Sequence, residues 1–250
     1  RQLRLMQSII ILSAVLGRTG GLLSVLSDFG PPDLTIPTIE GWKPVGDAIF
    51  GPQYEDSQVF LGTDVALSAN GLRVIAAAPG TDDGDGSAFD TGAVHVFQQH
   101  ATNKGDNDGI SSSIEGADGN ATAWERVDSL PGPGPSTVAV SSVACAAEAR
   151  RVVVGYPFVA ASGGKVQIWE EETTNTDSSW LLEETLSMPS ESWFGFAVDL
   201  TADGEYLAVS APLNAGRGSV QVFHRQRSSE DENMTWVSVG EVITADDEGA

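Results

Sequence analysis

The residues best suited to chemistry in this chain are the carboxylates of a short acidic loop at positions 82–90. Asp83, Asp85, Ser87 and Asp90 offer oxygen atoms at spacings that a flexible loop can fold around a hard cation such as calcium. The loop lacks the glycine at position six and the glutamate at position twelve of an EF-hand loop. We therefore interpret it as a polar loop insertion, and we expect no metal site and no calcium binding tighter than about millimolar.

Residues that could catalyse a reaction are few. The three histidines, His95, His100 and His224, lie at or just after predicted strands, and the sequence has no nucleophile elbow, zinc-binding His-Glu-x-x-His pattern or phosphate loop. The single cysteine, Cys145, lies in an apolar stretch and is predicted to be a small buried hydrophobe. We expect no catalytic residue and no cofactor, and we predict that the chain is not an enzyme.

Aromatic rings and glycosylation sequons are the remaining site candidates. If any ring binds a ligand, the best candidate is Trp193, because it departs from the regular spacing of the other tryptophans. Asn120-Ala-Thr and Asn233-Met-Thr are N-glycosylation sequons, and each stands just before a recurring tryptophan. We predict glycosylation at Asn120 and Asn233, on loops of a secreted protein.

The elements that position these residues come from a repeat. Trp124, Trp180 and Trp236 are spaced 56 residues apart, and each opens a copy of one pattern, which indicates a repeat architecture. The first copy opens at Trp42 and runs for 82 residues because it carries an insertion. The predicted copies are 42–123, 124–179, 180–235 and a partial fourth, 236–250.

Within each copy the apolar residues alternate as they do in a strand with one buried face. Val220 and Val222, for example, alternate with polar residues. Asn70-Gly71 and Asp203-Gly204 stand between apolar runs and predict two-residue type I′ hairpin turns, which need positive φ at both central residues. Each copy therefore predicts about four antiparallel strands, the pattern of a propeller blade.

Two short motifs carry a family resemblance. Phe194-Gly195 followed by Ser210-Ala211-Pro212 resembles the FG-GAP repeat of the integrin α-subunit β-propeller, in the form found in uncharacterised microalgal, diatom-like proteins. The first copy departs from it, because Leu61 separates Phe60 from Gly62, and the second copy lacks the Phe-Gly pair. The resemblance implies calcium loops between the first two strands of a blade, but the short turns here leave no room for six or more ligands.

The expected fold is all-β: an incomplete β-propeller of about three four-stranded blades plus the start of a fourth, with an N-terminal hydrophobic segment. A ring usually has four to eight blades. The 250-residue chain is therefore expected to be a fragment, or to close its ring by association with other chains.

The N-terminal region differs in composition from the rest. Arg1 and Arg4 precede an apolar run at 9–16, which is typical of a signal peptide spanning 1–27. The alternatives are an uncleaved membrane anchor at 9–26, in which Arg18 would be costly, or an artefact of gene-model translation. Residues 28–41, which contain three prolines, are predicted to form a linker.

Charge and composition limit the partners. The formal net charge is −22, which excludes ordinary nucleic-acid binding because that requires basic patches. We expect a non-catalytic binding or adhesion scaffold, secreted or at the cell surface, with a protein or glycan ligand and further blades from the same or another chain as partners. The alternative is an accessory propeller module of a secreted hydrolytic enzyme whose catalytic domain lies outside this segment.

Overall fold

The computed structural model describes residues 45–51, 59–81, 92–102, 121–133, 140–159, 163–173, 178–188, 192–228 and 233–244. These residues form β-strands, turns and one short 3₁₀ helix (Asn214–Gly216), and none of them is in an α-helix. The prediction of an all-β chain is confirmed for this part of the sequence. The strands lie in one compact unit, Gly46–Ala250.

Twelve described strands form three antiparallel sheets of four strands each, in which every strand pairs with its neighbours along the chain. Sheet 1 contains β1 (Val65–Leu67), β2 (Arg73–Ala78), β3 (Ala93–Thr102) and β4 (Ala121–Pro131). Sheet 2 contains β5 (Ser142–Cys145), β6 (Arg151–Tyr156), β7 (Lys165–Thr173) and β8 (Ser178–Ser187). Sheet 3 contains β9 (Val198–Leu200), β10 (Tyr206–Ala211), β11 (Ser219–Arg227) and β12 (Met234–Thr244).

The sequence copies and the sheets are offset by one strand. Trp124, Trp180 and Trp236 lie in β4, β8 and β12, each the last strand of its sheet. The boundaries predicted at these tryptophans therefore differ from the sheet boundaries, and the strand expected to start a fourth copy completes sheet 3. The reason is hairpin pairing, because β12 pairs with the strand directly before it, with Arg225 opposite Trp236.

The turns between the first two strands of sheets 1 and 3 differ from the predicted type I′ form. Gly71 and Gly204 have φ of +72° and +73°, but neither Asn70 nor Asp203 has positive φ. The N–H of Gly71 donates to the carbonyl of Ser68 at 2.9 Å, which places the glycine at the fourth position of the turn. Such a turn needs only one left-handed residue. The side chain of Asn70 accepts the N–H of Leu72 at 3.0 Å and so satisfies the turn locally.

The central strands of sheets 1 and 2 are buried on both faces along most of their length, and the prediction of one buried face is wrong for them. Along β6, which is rich in β-branched residues that favour strands, all six residues are buried. Val152 and Val154 point into a core shared with sheet 1, whereas Val153 points into a second core shared with sheet 3. The strand alternation thus divides one sheet between two hydrophobic cores.

Close backbone contact joins sheet 2 to the Phe-Gly segment of the third copy. Phe194 is 2 % exposed and its ring lies edge-on to Phe223, with centroids 6.2 Å apart. A Cβ on Gly195 would lie 2.6 Å from the carbonyl oxygen of Lys165, and a Cβ on Gly155 would lie 2.0 Å from the carbonyl oxygen of Gly195. The prediction that Phe194 enters the interface and that Gly195 permits close approach is confirmed.

Candidate binding site

Trp193 belongs to a cluster of three partly exposed rings, which we call the aromatic cluster: Phe158, Trp193 and Phe196. Trp193 lies nearly parallel to Phe196, with centroids 6.1 Å apart and planes inclined by 15°. Phe158 meets it edge-on, at 5.1 Å and 78°. Both arrangements are favourable for aromatic rings, since each ring carries a negative face and a positive edge.

The backbone that holds the aromatic cluster is anchored to sheet 2. Phe194 N–H donates to the carbonyl of Gly163 at 2.7 Å, and the Ser192 hydroxyl donates to the same carbonyl at 2.9 Å. Trp193 itself has a φ of +57°, a left-handed conformation that is unusual for a bulky residue. Phe60 has a φ of +51° at the equivalent place, so the strained turn is a feature of the repeat.

The sequence pointed to Trp193 but not to its neighbours. Phe158 follows β6 in sheet 2, whereas Phe196 stands just before β9 in sheet 3. Only the packing of the two sheets brings these rings together around Trp193. Strand alternation gave no signal for Phe196, because it lies in a turn in which its N–H donates to the carbonyl of Trp193 at 3.1 Å. Partly exposed rings of this kind bury apolar area against a ligand and lose little side-chain entropy, which suits binding rather than catalysis.

A serine–histidine pair occurs in sheet 1, but its environment does not suit catalysis. The Ser129 hydroxyl lies 2.8 Å from Nδ1 of His95, which is 1 % exposed. Burial, and secondarily the positive charge of Arg126, lower the pKa of His95 to about 4. A histidine with so low a pKa is a poor acceptor of the serine proton at neutral pH. Its Nε2 is buried without a hydrogen-bond partner among the described residues, so no described acid orients the ring.

The other two histidines and the cysteine have ordinary structural roles. Nε2 of His100 lies 3.4 Å from a carboxylate oxygen of Glu125 on the exposed edge of sheet 1. His224 lies against Tyr206, with ring centroids 4.5 Å apart. Cys145 is partly buried against the core shared by sheets 1 and 2, and burial raises its pKa to about 11. A thiol with that pKa is a weak nucleophile at neutral pH, in keeping with the predicted hydrophobic role.

Ion pairs at the rims of the two interfaces use many of the buried charges. Arg73 of sheet 1 binds Glu171 of sheet 2 through two hydrogen bonds of 2.6 and 2.9 Å. Burial raises the pKa of Glu171, but hydrogen bonds from Arg73 and Ser178 and the nearby arginine charges outweigh it and hold the pKa below its usual value. These groups are paired with one another and link sheets, so they are structural and offer no free charge to a substrate.

The ion pairs between sheets 2 and 3 form a shared network. Arg225 donates to Glu183 at 2.6 Å and to Glu170 at 3.0 Å. Arg151 donates to the same Glu170 at 2.6 Å and to the carbonyl of Gly204 at 3.0 Å. Each arginine therefore binds acceptors across the interface, although Nε of Arg151 has no hydrogen-bond partner among the described residues and lies 3.5 Å from a carboxylate oxygen of Glu183.

The remaining predicted positions divide between the described and other parts of the chain. Asn233 is exposed immediately before β12, where a glycan would meet no core residue. Asn120, the acidic loop at 82–90, Trp42, the predicted signal segment and the linker lie outside the described residues. Within the described ranges, no three His, Cys, Asp or Glu side chains come together as metal ligands would.

Comparison with known proteins provides no further assignment. No model of a protein family matches the chain, and no curated protein sequence matches it. None of the described residues belongs to a helix long and apolar enough to cross a membrane.

Proposed function

We propose that this protein is a non-catalytic extracellular binding or adhesion scaffold of the FG-GAP type, whose three sheets are blades of an incomplete propeller. The observation that carries the proposal is the aromatic cluster, in which three partly exposed rings sit on backbone that is hydrogen-bonded to the neighbouring sheet. Such a rigid, preorganised surface lowers the entropy cost of binding.

The chemistry of the other candidates supports binding over catalysis. The lowered pKa of His95 and the raised pKa of Cys145 leave each in its neutral form at physiological pH. The described arginines and glutamates at the sheet interfaces pair with one another. The aromatic cluster, in contrast, is partly open to solvent, and aromatic rings pack favourably against the apolar face of a sugar ring or an apolar protein side chain.

The proposed location is outside the cell or at its surface, with glycans on Asn120 and Asn233. Exposure of Asn233 supports this, because a glycan there would project from a strand end without displacing packed residues. The high negative charge favours the solubility of such a protein.

A binding screen against immobilised neutral oligosaccharides tests the proposal. We expect a member of the panel to bind the wild-type chain, and Trp193→Ala to weaken that binding at least about tenfold, the loss expected when one stacking ring is removed. Phe60→Ala is the matched control, because Phe60 occupies the equivalent turn, is 45 % exposed and lies outside the cluster. Equal loss in both variants would contradict the assignment, and a panel with no binder would remove glycans as the ligand class.

A further inference from the structure

We propose that the Asn70-Gly71 turn of sheet 1 is a site of spontaneous deamidation, whose aspartate product keeps the turn intact and whose isoaspartate product breaks the contact of the turn with sheet 2. Asn70 is the only asparagine of the sequence that precedes a glycine. The inference concerns a chemical modification of this chain, and it does not depend on the proposed function.

The reaction is an attack of the main chain on a side chain. The nitrogen of Gly71, after its proton passes to water, forms a bond to Cγ of Asn70. The bond between Cγ and Nδ2 then breaks, and the side-chain nitrogen regains a proton and leaves as ammonia. A succinimide ring remains, and water opens it at either carbonyl carbon to give aspartate or isoaspartate. The net reaction consumes water and releases ammonia, and nothing is oxidised or reduced.

The turn presents the two reacting groups to water. Asn70 is exposed and Gly71 is partly exposed. Nothing crowds the attacking nitrogen, since glycine has no Cβ and a Cβ built at Gly71 would have no neighbour within 4 Å among the described residues. The Gly71 N–H donates to the carbonyl of Ser68 at 2.9 Å, so attack requires this bond to open. Exposed turns open locally at little cost in free energy, and the folded chain is therefore reactive.

The hydrogen bonds of the Asn70 side chain favour the attack. Its Oδ1 accepts the Ser68 hydroxyl at 2.8 Å and the N–H of Leu72 at 3.0 Å. Negative charge develops on Oδ1 as the nitrogen bonds to Cγ, and two donors aimed at this oxygen stabilise that charge. Asn214 lacks this arrangement, because its Nδ2 donates to the Ser219 hydroxyl at 2.8 Å and an alanine follows it.

The third copy shows that aspartate fits this turn. Asp203 takes the place of Asn70, and its Oδ1 accepts the Thr201 hydroxyl and the N–H of Glu205. Both bonds go to Oδ1, the atom that asparagine and aspartate share, so Asn70 keeps its two bonds when its amide nitrogen is lost. The second copy has Glu148 at this position, and deamidation therefore gives all three turns a carboxylate.

Isoaspartate does not fit the turn, because the main chain then runs through Cγ and gains a methylene group. Ala69, in the same turn, donates its N–H to the carbonyl of Ala147 in sheet 2 at 2.7 Å. A longer turn moves this N–H out of line with its acceptor, and a hydrogen bond weakens steeply when its geometry is lost. The modification therefore divides the chain into a native-like form and a form with a weaker link between sheets 1 and 2.

The first test follows residue 70 in the full, folded chain at neutral pH in heavy-oxygen water. Peptide mass spectrometry should show the amide nitrogen of residue 70 replaced by heavy oxygen as time passes, with Asn214 unchanged in the same digest. Gly71→Ala should slow the conversion at least about tenfold, because the new Cβ crowds the attacking nitrogen. This variant keeps the fold, since Ala149 has a φ of +51° at the same place in sheet 2. An absence of conversion in the folded chain, or equal rates in wild type and Gly71→Ala, would overturn the proposal.

The second test separates the two products by chromatography and compares their melting temperatures. The aspartate product and Asn70→Asp should melt within about 2 °C of wild type, and the isoaspartate product at least about 4 °C lower. Asn70→Ala is the matched control: it removes Oδ1 and both bonds that this oxygen accepts, so it should also melt at least about 4 °C lower. An isoaspartate product as stable as wild type, or Asn70→Asp as unstable as Asn70→Ala, would refute the proposal.

Discussion

Replacement of Phe194 by alanine should be among the most destabilising single changes in this chain. The ring is 2 % exposed, in the core between sheets 2 and 3. The backbone at Phe194 cannot relax into the space left behind. Its N–H donates to the carbonyl of Gly163, and its carbonyl oxygen packs so closely on Gly164 that a Cβ there would be only 2.1 Å away. A cavity should therefore persist, and we expect a loss of about 3–5 kcal/mol in the free energy of unfolding.

That loss is a large part of the roughly 5–15 kcal/mol that stabilises an ordinary domain. Urea unfolding followed by circular dichroism measures it without relying on tryptophan emission. The neighbouring substitution Trp193→Ala is the control: its ring is partly exposed, so we expect it to cost less than about 2 kcal/mol. A cost below about 1 kcal/mol for Phe194→Ala, or a larger cost for Trp193→Ala, would refute the assignment of the buried ring.

Three further predictions concern strain and pH. Gly164→Ala should lower the free energy of unfolding by more than about 3 kcal/mol, because φ is +110° and the new Cβ would overlap the Phe194 carbonyl. Gly240→Ala is the control in the same urea assay: its φ is +72° but the space around it is open, so it should cost about 1 kcal/mol. The pKa of His95 is about 4 in the folded chain and 6.5 when unfolded, so only the unfolded state gains a proton as pH falls from 6.5 to 4. The free energy of unfolding should therefore drop by up to about 3 kcal/mol over this range. In urea titrations across the same range, His95→Gln should flatten that slope. The pKa of Glu171 is lowered in the folded chain, so its contribution to stability should be present above the ordinary pKa of 4.5 and lost as pH falls through the folded pKa. Glu171→Gln should therefore lower the free energy of unfolding by about 1.5–3 kcal/mol at pH 7, and its difference from wild type should disappear in acid.

Local pattern predicted the strands, but not how they are grouped into sheets. Alternation along Val220 and Val222 is a short-range signal, and the strand it predicted is β11. The strand of Trp236 has no such local indication of which sheet it joins, because a period of 56 residues is the same wherever the copy is taken to begin. Pairing with β11 decides the matter, and that pairing is a contact between strands.

The second copy shows how geometry can persist after its sequence signature has gone. Ala149 donates to the carbonyl of Ala146 at 2.8 Å with a φ of +51°, so this turn repeats the one that ends in Gly71 with alanine in place of glycine. Val140 is buried in the interface where the Phe-Gly motif is missing. A left-handed alanine costs roughly 1–2 kcal/mol, a strain that the packed interface can hold. Residue types alone predict neither the left-handed Ala149 at the turn nor the burial of Val140 where the Phe-Gly motif is missing.

The aromatic cluster was only partly predictable for a related reason. An unusual spacing singled out Trp193, but the partners of a side chain at the end of a sheet are set by how two sheets pack. Phe158 reaches Trp193 because the backbone of sheet 2 lies directly against the Phe-Gly segment, so closely that a Cβ on Gly155 would lie 2.0 Å from the Gly195 carbonyl oxygen. That approach depends on Gly155, Gly164 and Gly195, and no single one of these glycines identifies it in the sequence.

One register position holds an arginine paired with a glutamate in sheets 1 and 2, Arg73 and Arg151, but an aromatic residue, Tyr206, in sheet 3. An arginine that is covered by another sheet loses its hydration, and it is stable there only if acceptors come with that sheet, as Glu171 does for Arg73. Tyr206 makes no such demand, since an aromatic ring is tolerated both in water and under a covering sheet. The Tyr206–His224 pair, with ring centroids 4.5 Å apart, therefore leaves no buried charge without an acceptor at this register position of sheet 3.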